Sequence, residues 1–104
     1  MPMDQHEKHQ ILFSQLVLMF HAAAMQQMGK LKNPMTDKIE RDLSAAQGSI
    51  DILDMLRTKT SGNLDVDETR LLDQVLRELR LNYVDEANKH EPAPPPAAEG
   101  PKNS

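Results

Sequence analysis

The chain has 104 residues and a formal net charge of −4, with 16 acidic and 12 basic side chains. This balance argues against general nucleic-acid binding, because phosphate contacts require a basic surface. The chain has no cysteine, so disulfides are excluded, and it has only two phenylalanines, one tyrosine and no tryptophan. Aliphatic side chains must fill a small core, and oligomerisation is the expected extra source of buried area.

The first predicted element is a long helix, helix 1, which runs from about Asp4 to Met28 and stops at Gly29. Residues 11–25 are apolar around almost the whole helical circumference, which predicts two packed faces rather than one. The face expected to meet the rest of the chain consists of Leu12, Phe13, Leu16, Val17, Phe20, Ala23 and Ala24. The opposite face predicts a homo-oligomer interface, with Ile11, Ser14, Leu18, His21, Ala22 and Met25 as the candidate residues.

Three membrane-related interpretations compete with this one. A secretory signal requires a basic start, and here Asp4 and Glu7 offset Lys8. A transmembrane helix requires about 18 to 20 apolar residues, which is longer than this run. A peripheral, interfacial helix remains an alternative, although only Lys8, Lys30 and Lys32 are available to contact lipid headgroups. Membrane contact is therefore the less favoured alternative.

Helix 2 is predicted to begin near Thr36, after the turn at Pro34. Its core stripe is predicted to contain Ile39, Leu43, Ala46, Ile50 and Leu53, at spacings of three and four residues. Gly48 costs stability inside a helix, so we expect it to permit close approach by another helix.

A tight junction is predicted between helix 2 and helix 3. Gly62 suits the left-handed position after a helix, while Asp65 and Glu68 form an acidic variant of the capping box with Leu64 as its hydrophobic staple. The junction residues are Lys59, Thr60, Gly62, Asn63, Leu64, Asp65 and Glu68. Helix 3 is predicted to reach about Glu86, and residues 87–104 are predicted to form a disordered tail rich in proline and alanine.

Groups with catalytic or metal-binding chemistry are sparse. His6 and His9 lie three residues apart and could face one metal ion, but no further ligands follow at convincing spacing. No combination of a nucleophile and a base can be recognised in the sequence. We therefore predict no catalytic, cofactor-binding or metal-binding residues, and a protein that is not an enzyme.

The segment from Ile52 to Leu64 carries a resemblance to a known family. Its sharpest part is the Lys-Thr-x-Gly-Asn-Leu junction, and the downstream residues that match are Glu68, Leu72, Leu76, Leu79, Arg80, Tyr83 and Val84. With these residues the chain resembles the domain-of-unknown-function family 1844 over roughly residues 11–86. The resemblance implies a small bacterial, cytoplasmic protein with no assigned reaction, and it supplies no catalytic residues.

Together these features predict an all-α protein of three helices. Helices 2 and 3 form an antiparallel hairpin, and helix 1 packs across it and against its copy in a homo-oligomeric bundle, with a dimer as the first expectation. Residues 1–10 are the first turns of helix 1 and residues 11–86 are the single domain. The expected function is a non-enzymatic, self-associating interaction or scaffolding module with an unidentified protein partner. The expected binding groove lies between helices and is lined by Leu, Met and Ala. The alternatives are a peripheral membrane protein and, third, a small enzyme or metal protein.

Overall fold

A computed structural model describes residues 2–89 of the chain as three helices. They are α1 (Gln5–Gln27), α2 (Leu43–Lys59) and α3 (Val66–Lys89). The predicted all-α fold of three helices is confirmed. The predicted tail is wrong at residues 87–89, which continue α3, and its remaining residues, 90–104, lie outside the described part of the chain.

Helices α2 and α3 form an antiparallel hairpin, as predicted. Two ion pairs connect them in opposite order along the chain: Arg57 Nε lies 2.8 Å from Asp73 Oδ1, and one guanidinium nitrogen of Arg80 lies 3.0 Å from Asp54 Oδ1. Residues later in α2 therefore meet residues earlier in α3, which is the register of an antiparallel pair.

Helix α1 lies along the hairpin and parallel to α3. His6 Nε2 lies 3.3 Å from Asp65 Oδ2 just before α3, and His21 Nε2 lies 3.2 Å from Glu78 Oε2 in its middle. Residues later in α1 contact residues later in α3, so the two helices run in the same direction. The expectation that helix 1 packs across the hairpin is thus corrected to a side-by-side arrangement in an up-down-up bundle.

A small aliphatic core lies between the three helices. Its fully or almost fully buried apolar members are Val17, Ala24, Met28, Ala46, Ile50, Leu53, Leu72, Val75, Leu76 and Leu79. Phe13, Phe20 and Tyr83 pack against this core without being fully buried. Each helix therefore contributes one stripe of residues to the core, and the aromatic rings lie at the edges of the core.

Helix 2 begins later than the sequence pattern predicts. The backbone N–H of Asn33 donates to the carbonyl of Lys38, and Asp37 has a φ of 57°, so residues 33–38 form a loop that a helix cannot include. The helix starts where the Asp42 carboxylate accepts a hydrogen bond from the Ala45 N–H at 3.0 Å.

Two further expectations for helix 2 are wrong. Ile39 was expected in the core stripe but lies in the loop with 56 % of its surface exposed. A Cβ atom added to Gly48 would meet nothing within 4 Å, so this glycine does not permit a close helix contact.

The junction between α2 and α3 has the predicted structure. Gly62 has a φ of +86°, and Thr60, the C-cap residue, donates its backbone N–H to the carbonyl of Leu56. The N–H of Glu68 donates to Asp65 Oδ1 at 2.8 Å, while the N–H of Asp65 donates to Glu68 Oε1 at 3.0 Å. This reciprocal pair is the predicted capping box, and it fixes where α3 begins.

Candidate interaction surface

The outer side of α1 carries the largest apolar side chains that this helix leaves uncovered. Ile11, Leu12, Leu18 and Met19 are 44 %, 50 %, 49 % and 63 % exposed, whereas Val17 on the opposite side is completely buried. These four residues, together with Gln15 and Ala22 on the same side of the helix, form the surface that we call the outer α1 face. A single chain leaves this face open to solvent.

The direction in which helix 1 faces the core differs in part from the sequence prediction. Phe13, Val17 and Phe20 face or border the core as expected, but Leu12 and Leu16, expected on the same inward face, are 50 % and 37 % exposed. Periodicity could not identify the inward side, because the helix is apolar on nearly every side.

The six predicted interface residues divide into two groups. Ile11, Leu18 and Ala22 are exposed on the outer α1 face. Ser14, His21 and Met25 are only partly exposed: they lie at the border with α3 or pack against the core, and His21 is paired with Glu78. Met19 was not among the predicted interface residues. The sequence nevertheless places it on the exposed side, because it lies one turn after Gln15 and next to Leu18.

A groove of about 400 Å³ runs between α1 and the beginning of α3. Its apolar wall consists of Ile11, Leu18 and Leu71, and its acidic wall includes Asp67 and Glu68. An interhelical groove was expected at such a place, but its lining is more polar than the Leu, Met and Ala predicted. The groove adjoins the outer α1 face through Ile11 and Leu18.

A larger groove of about 600 Å³ follows α3 from its first turn. Arg70, Asp73 and Arg77 line it together with Val66 and Thr69. This groove does not have the Leu, Met and Ala lining that was expected between the helices. Charges of both signs are interleaved here, and Asp73 is already paired with Arg57 on α2.

The α2–α3 junction is tied to α1 as well as to its own helices. Gln10 donates its side-chain N–H to Asp65 Oδ2, and His6 pairs with the same oxygen. The hydrogen bond from the Glu68 N–H, followed by that from Gln10, lowers the pKa of the Asp65 carboxyl. Asp65 and Glu68 thus have structural contacts that account for their place in the predicted junction.

At the other end of the bundle, Glu86 is a buried carboxylate held by cations from three parts of the chain. Lys30 Nζ lies 2.7 Å from Glu86 Oε2, Arg41 Nε lies 3.5 Å from Oε1, and Lys89 Nζ lies 3.3 Å from Oε2. The hydrogen bond from Lys30 is the main cause that lowers the pKa of Glu86 to about 2, and burial opposes it. Sequence reasoning missed this cluster because Lys30 and Arg41 lie in the connection between α1 and α2, far along the chain from Glu86 in α3.

The predicted pair of histidines separates in the structure. His6 contacts Asp65, while His9 Nε2 lies 3.2 Å from Gln5 Nε2 one turn away. Within residues 2–89, no group of three or more histidine and carboxylate side chains is placed to hold a metal ion. In the same part of the chain, none of the helices has the length and apolar character required to cross a bilayer.

Comparison with known proteins gives one match. A family model described as "Domain of unknown function (DUF1844)" matches residues 10–85, which include most of α1, the whole of α2 and most of α3. No curated protein matches the chain, and neither does any solved structure.

Proposed function

Because the chain belongs to DUF1844, a family of unknown function, we propose its role from the surface of α1. The proposed role is that of a non-enzymatic helical module that associates with its own copies. The observation that carries this proposal is the outer α1 face, on which Ile11, Leu12, Leu18 and Met19 are each 44 % to 63 % exposed. Contiguous apolar surface of this kind is typical of interaction sites in soluble proteins.

The distribution of apolar residues supports association rather than folding as the role of this face. The core already receives Val17 and Ala24 from α1 and Met28 from its C-cap, and all three are completely buried. Leu18 and Met19, which are 49 % and 63 % exposed, contribute less burial to the folding of one chain. A second copy that covers them supplies the additional burial that a small, cysteine-free core needs.

The charges around the outer α1 face favour a protein partner over a lipid surface. Asp4 and Glu7 precede the face in the first turn of α1, and Asp67 lines the adjoining groove beside Ile11 and Leu18. Anionic headgroups would meet these carboxylates, and Lys8 is the single Lys or Arg of α1, whereas membrane-binding helices border their apolar face with several Lys and Arg.

Light scattering on the purified chain tests the proposal. We expect a mass near twice 11.7 kDa, or a higher multiple, at micromolar concentration. Leu18→Glu should shift the mass to that of one chain, because it places a charge in the apolar contact. Leu81→Glu is the matched control, since Leu81 is an exposed leucine (68 %) on α3, away from the face.

Two results would contradict the proposal. One is a single-chain mass for the unmodified protein across this concentration range. The other is an oligomer that survives Leu18→Glu but dissociates with Leu81→Glu, which would move the interface to α3.

A further inference from the structure

The outer α1 face is symmetric about Gln15. Ile11 and Leu12 precede this residue by four and three positions, and Leu18 and Met19 follow it by three and four. All four are exposed apolar side chains, and Gln15 itself is exposed. If two α1 helices meet in opposite directions with Gln15 at the centre, Ile11 of each copy faces Met19 of the other, and Leu12 faces Leu18.

The positive charge on this face distinguishes the two possible directions. Lys8 lies seven residues before Gln15 and is exposed on the same side of the helix. A parallel pair would place Lys8 directly against Lys8 of the other copy, which is unfavourable. In an antiparallel pair about Gln15, Lys8 faces Ala22 of the other copy, and the two lysines are about 21 Å apart.

The helix dipole favours the same direction. In α1 the first turn contains the acidic Glu7, and the last turn, which ends at Gln27, has no basic side chain. An antiparallel neighbour places the positive N-terminal end of its own α1 beside this end, where the free carbonyl groups carry partial negative charge. The direction that separates the lysines therefore also sets the two helix dipoles in opposite directions.

We propose that the partner of the outer α1 face is a second copy of this chain, bound antiparallel with the two-fold axis at Gln15. This inference rests on the proposed self-association and specifies its geometry. Such an interface is isologous, because each copy presents the same patch to the other. At the axis the two Gln15 amides can donate to and accept from each other, so the polar residue at the centre of the face acquires a partner and fixes the register.

Single cysteines test this geometry, because the chain contains none of its own. Packed helix axes lie about 8 to 10 Å apart and each Cα lies about 2.3 Å from its axis, so facing Cα atoms come within disulfide reach. Gln15→Cys should therefore give a covalent dimer in most of the protein on mild oxidation, detected by non-reducing electrophoresis.

Ala22→Cys is the matched control on the same face. We expect it to give no covalent dimer alone, but to crosslink when mixed with Lys8→Cys, since residues 8 and 22 face each other only in the antiparallel register. Efficient self-crosslinking of Ala22→Cys, with no product from the mixture, would mean a parallel pair and would overturn the inference.

The light-scattering mass of the unmodified chain separates this inference from the proposed function. If the chain is oligomeric and none of the three cysteine variants crosslinks, the copies meet elsewhere and the antiparallel geometry is wrong. If the unmodified chain is monomeric and none crosslinks, the proposed self-association itself fails.

Discussion

The buried carboxylate of Glu86 joins the loop after α1, the segment before α2 and the end of α3. Lys30 and Arg41 belong to the loop, and besides its ion pair Arg41 donates a guanidinium N–H to the Glu86 carbonyl at 2.9 Å. A carboxylate held in this way contributes to stability only while it is ionised. Its folded-state pKa of about 2 lies below the ordinary value of 4.5.

Glu86→Gln tests this contribution. Because the folded pKa is depressed, the stabilisation is complete above pH 4.5 and is lost as the pH falls towards about 2. We expect the variant to lose about 1 to 3 kcal/mol of unfolding free energy at pH 7, since it replaces charge-assisted hydrogen bonds with weaker ones. Its stability should then approach that of the unmodified chain near pH 2. Urea titrations at several pH values measure both effects.

Asp51→Asn is the control for a general effect of removing one negative charge. Asp51 is exposed on α2, where it accepts a hydrogen bond from the Gln47 side chain at 2.8 Å. Its replacement should change stability by less than about 0.5 kcal/mol. Equal losses for the two variants would show that the cluster around Glu86 adds nothing specific.

At the scale of the elements, local sequence signals located the starts of α1 and α3 and the end of α2, but not the start of α2, although Asp42 caps it. Asp4 and Glu7 form a capping box at the start of α1, and Asp65 and Glu68 form another before α3. These contacts join residues only three positions apart, so a sequence contains all the information they need. Gly62 belongs to the same class, because its left-handed conformation depends on the local turn.

The start of α2 and the inward side of α1 were not predicted, and both also depend on contacts between helices. The N–H of Asp42 donates to the Gln27 carbonyl at 2.7 Å, which ties the start of α2 to the end of α1 across the loop. The inward side of α1 likewise depends on which apolar stripe meets the other two helices. Both are decided by tertiary contacts, and neither leaves a periodic signal.

Gly62→Val tests the junction. The φ of +86° is strained for a β-branched residue, so we expect a loss of about 1 to 3 kcal/mol although a Cβ there would meet nothing within 4 Å. Gly48→Ala is the control, because Gly48 is exposed within α2 and has the same open space around it. This second variant should gain roughly 0.5 to 1 kcal/mol from helix propensity.

Thermal unfolding of the two glycine variants distinguishes backbone strain from packing. A loss of stability for Gly62→Val with a gain for Gly48→Ala supports the junction as described. An unchanged melting temperature for Gly62→Val would mean that residues 59–64 do not form a tight turn.

For the molecule as a whole, the sequence predicted the helical bundle and its family, but the exposed side of α1 only in part. Ile11, Leu18 and Ala22 are exposed as expected, while Ser14, His21 and Met25 border α3 or pack against the core. The exposed side of α1 could be assigned only once the structure showed which side faces the core.

The central claim is that copies of the chain bury the outer α1 face, and methionine oxidation measures this burial directly. In a single chain Met19 is 63 % exposed, compared with 91 % for Met35 in the loop and 48 % for Met55 on α2. With dilute peroxide and mass spectrometry at micromolar protein, we predict that Met19 reacts more slowly than Met55, and that Leu18→Glu restores its reactivity. Oxidation in the order Met35, Met19, Met55 in the unmodified protein would contradict the account, because it would show the outer α1 face open to solvent.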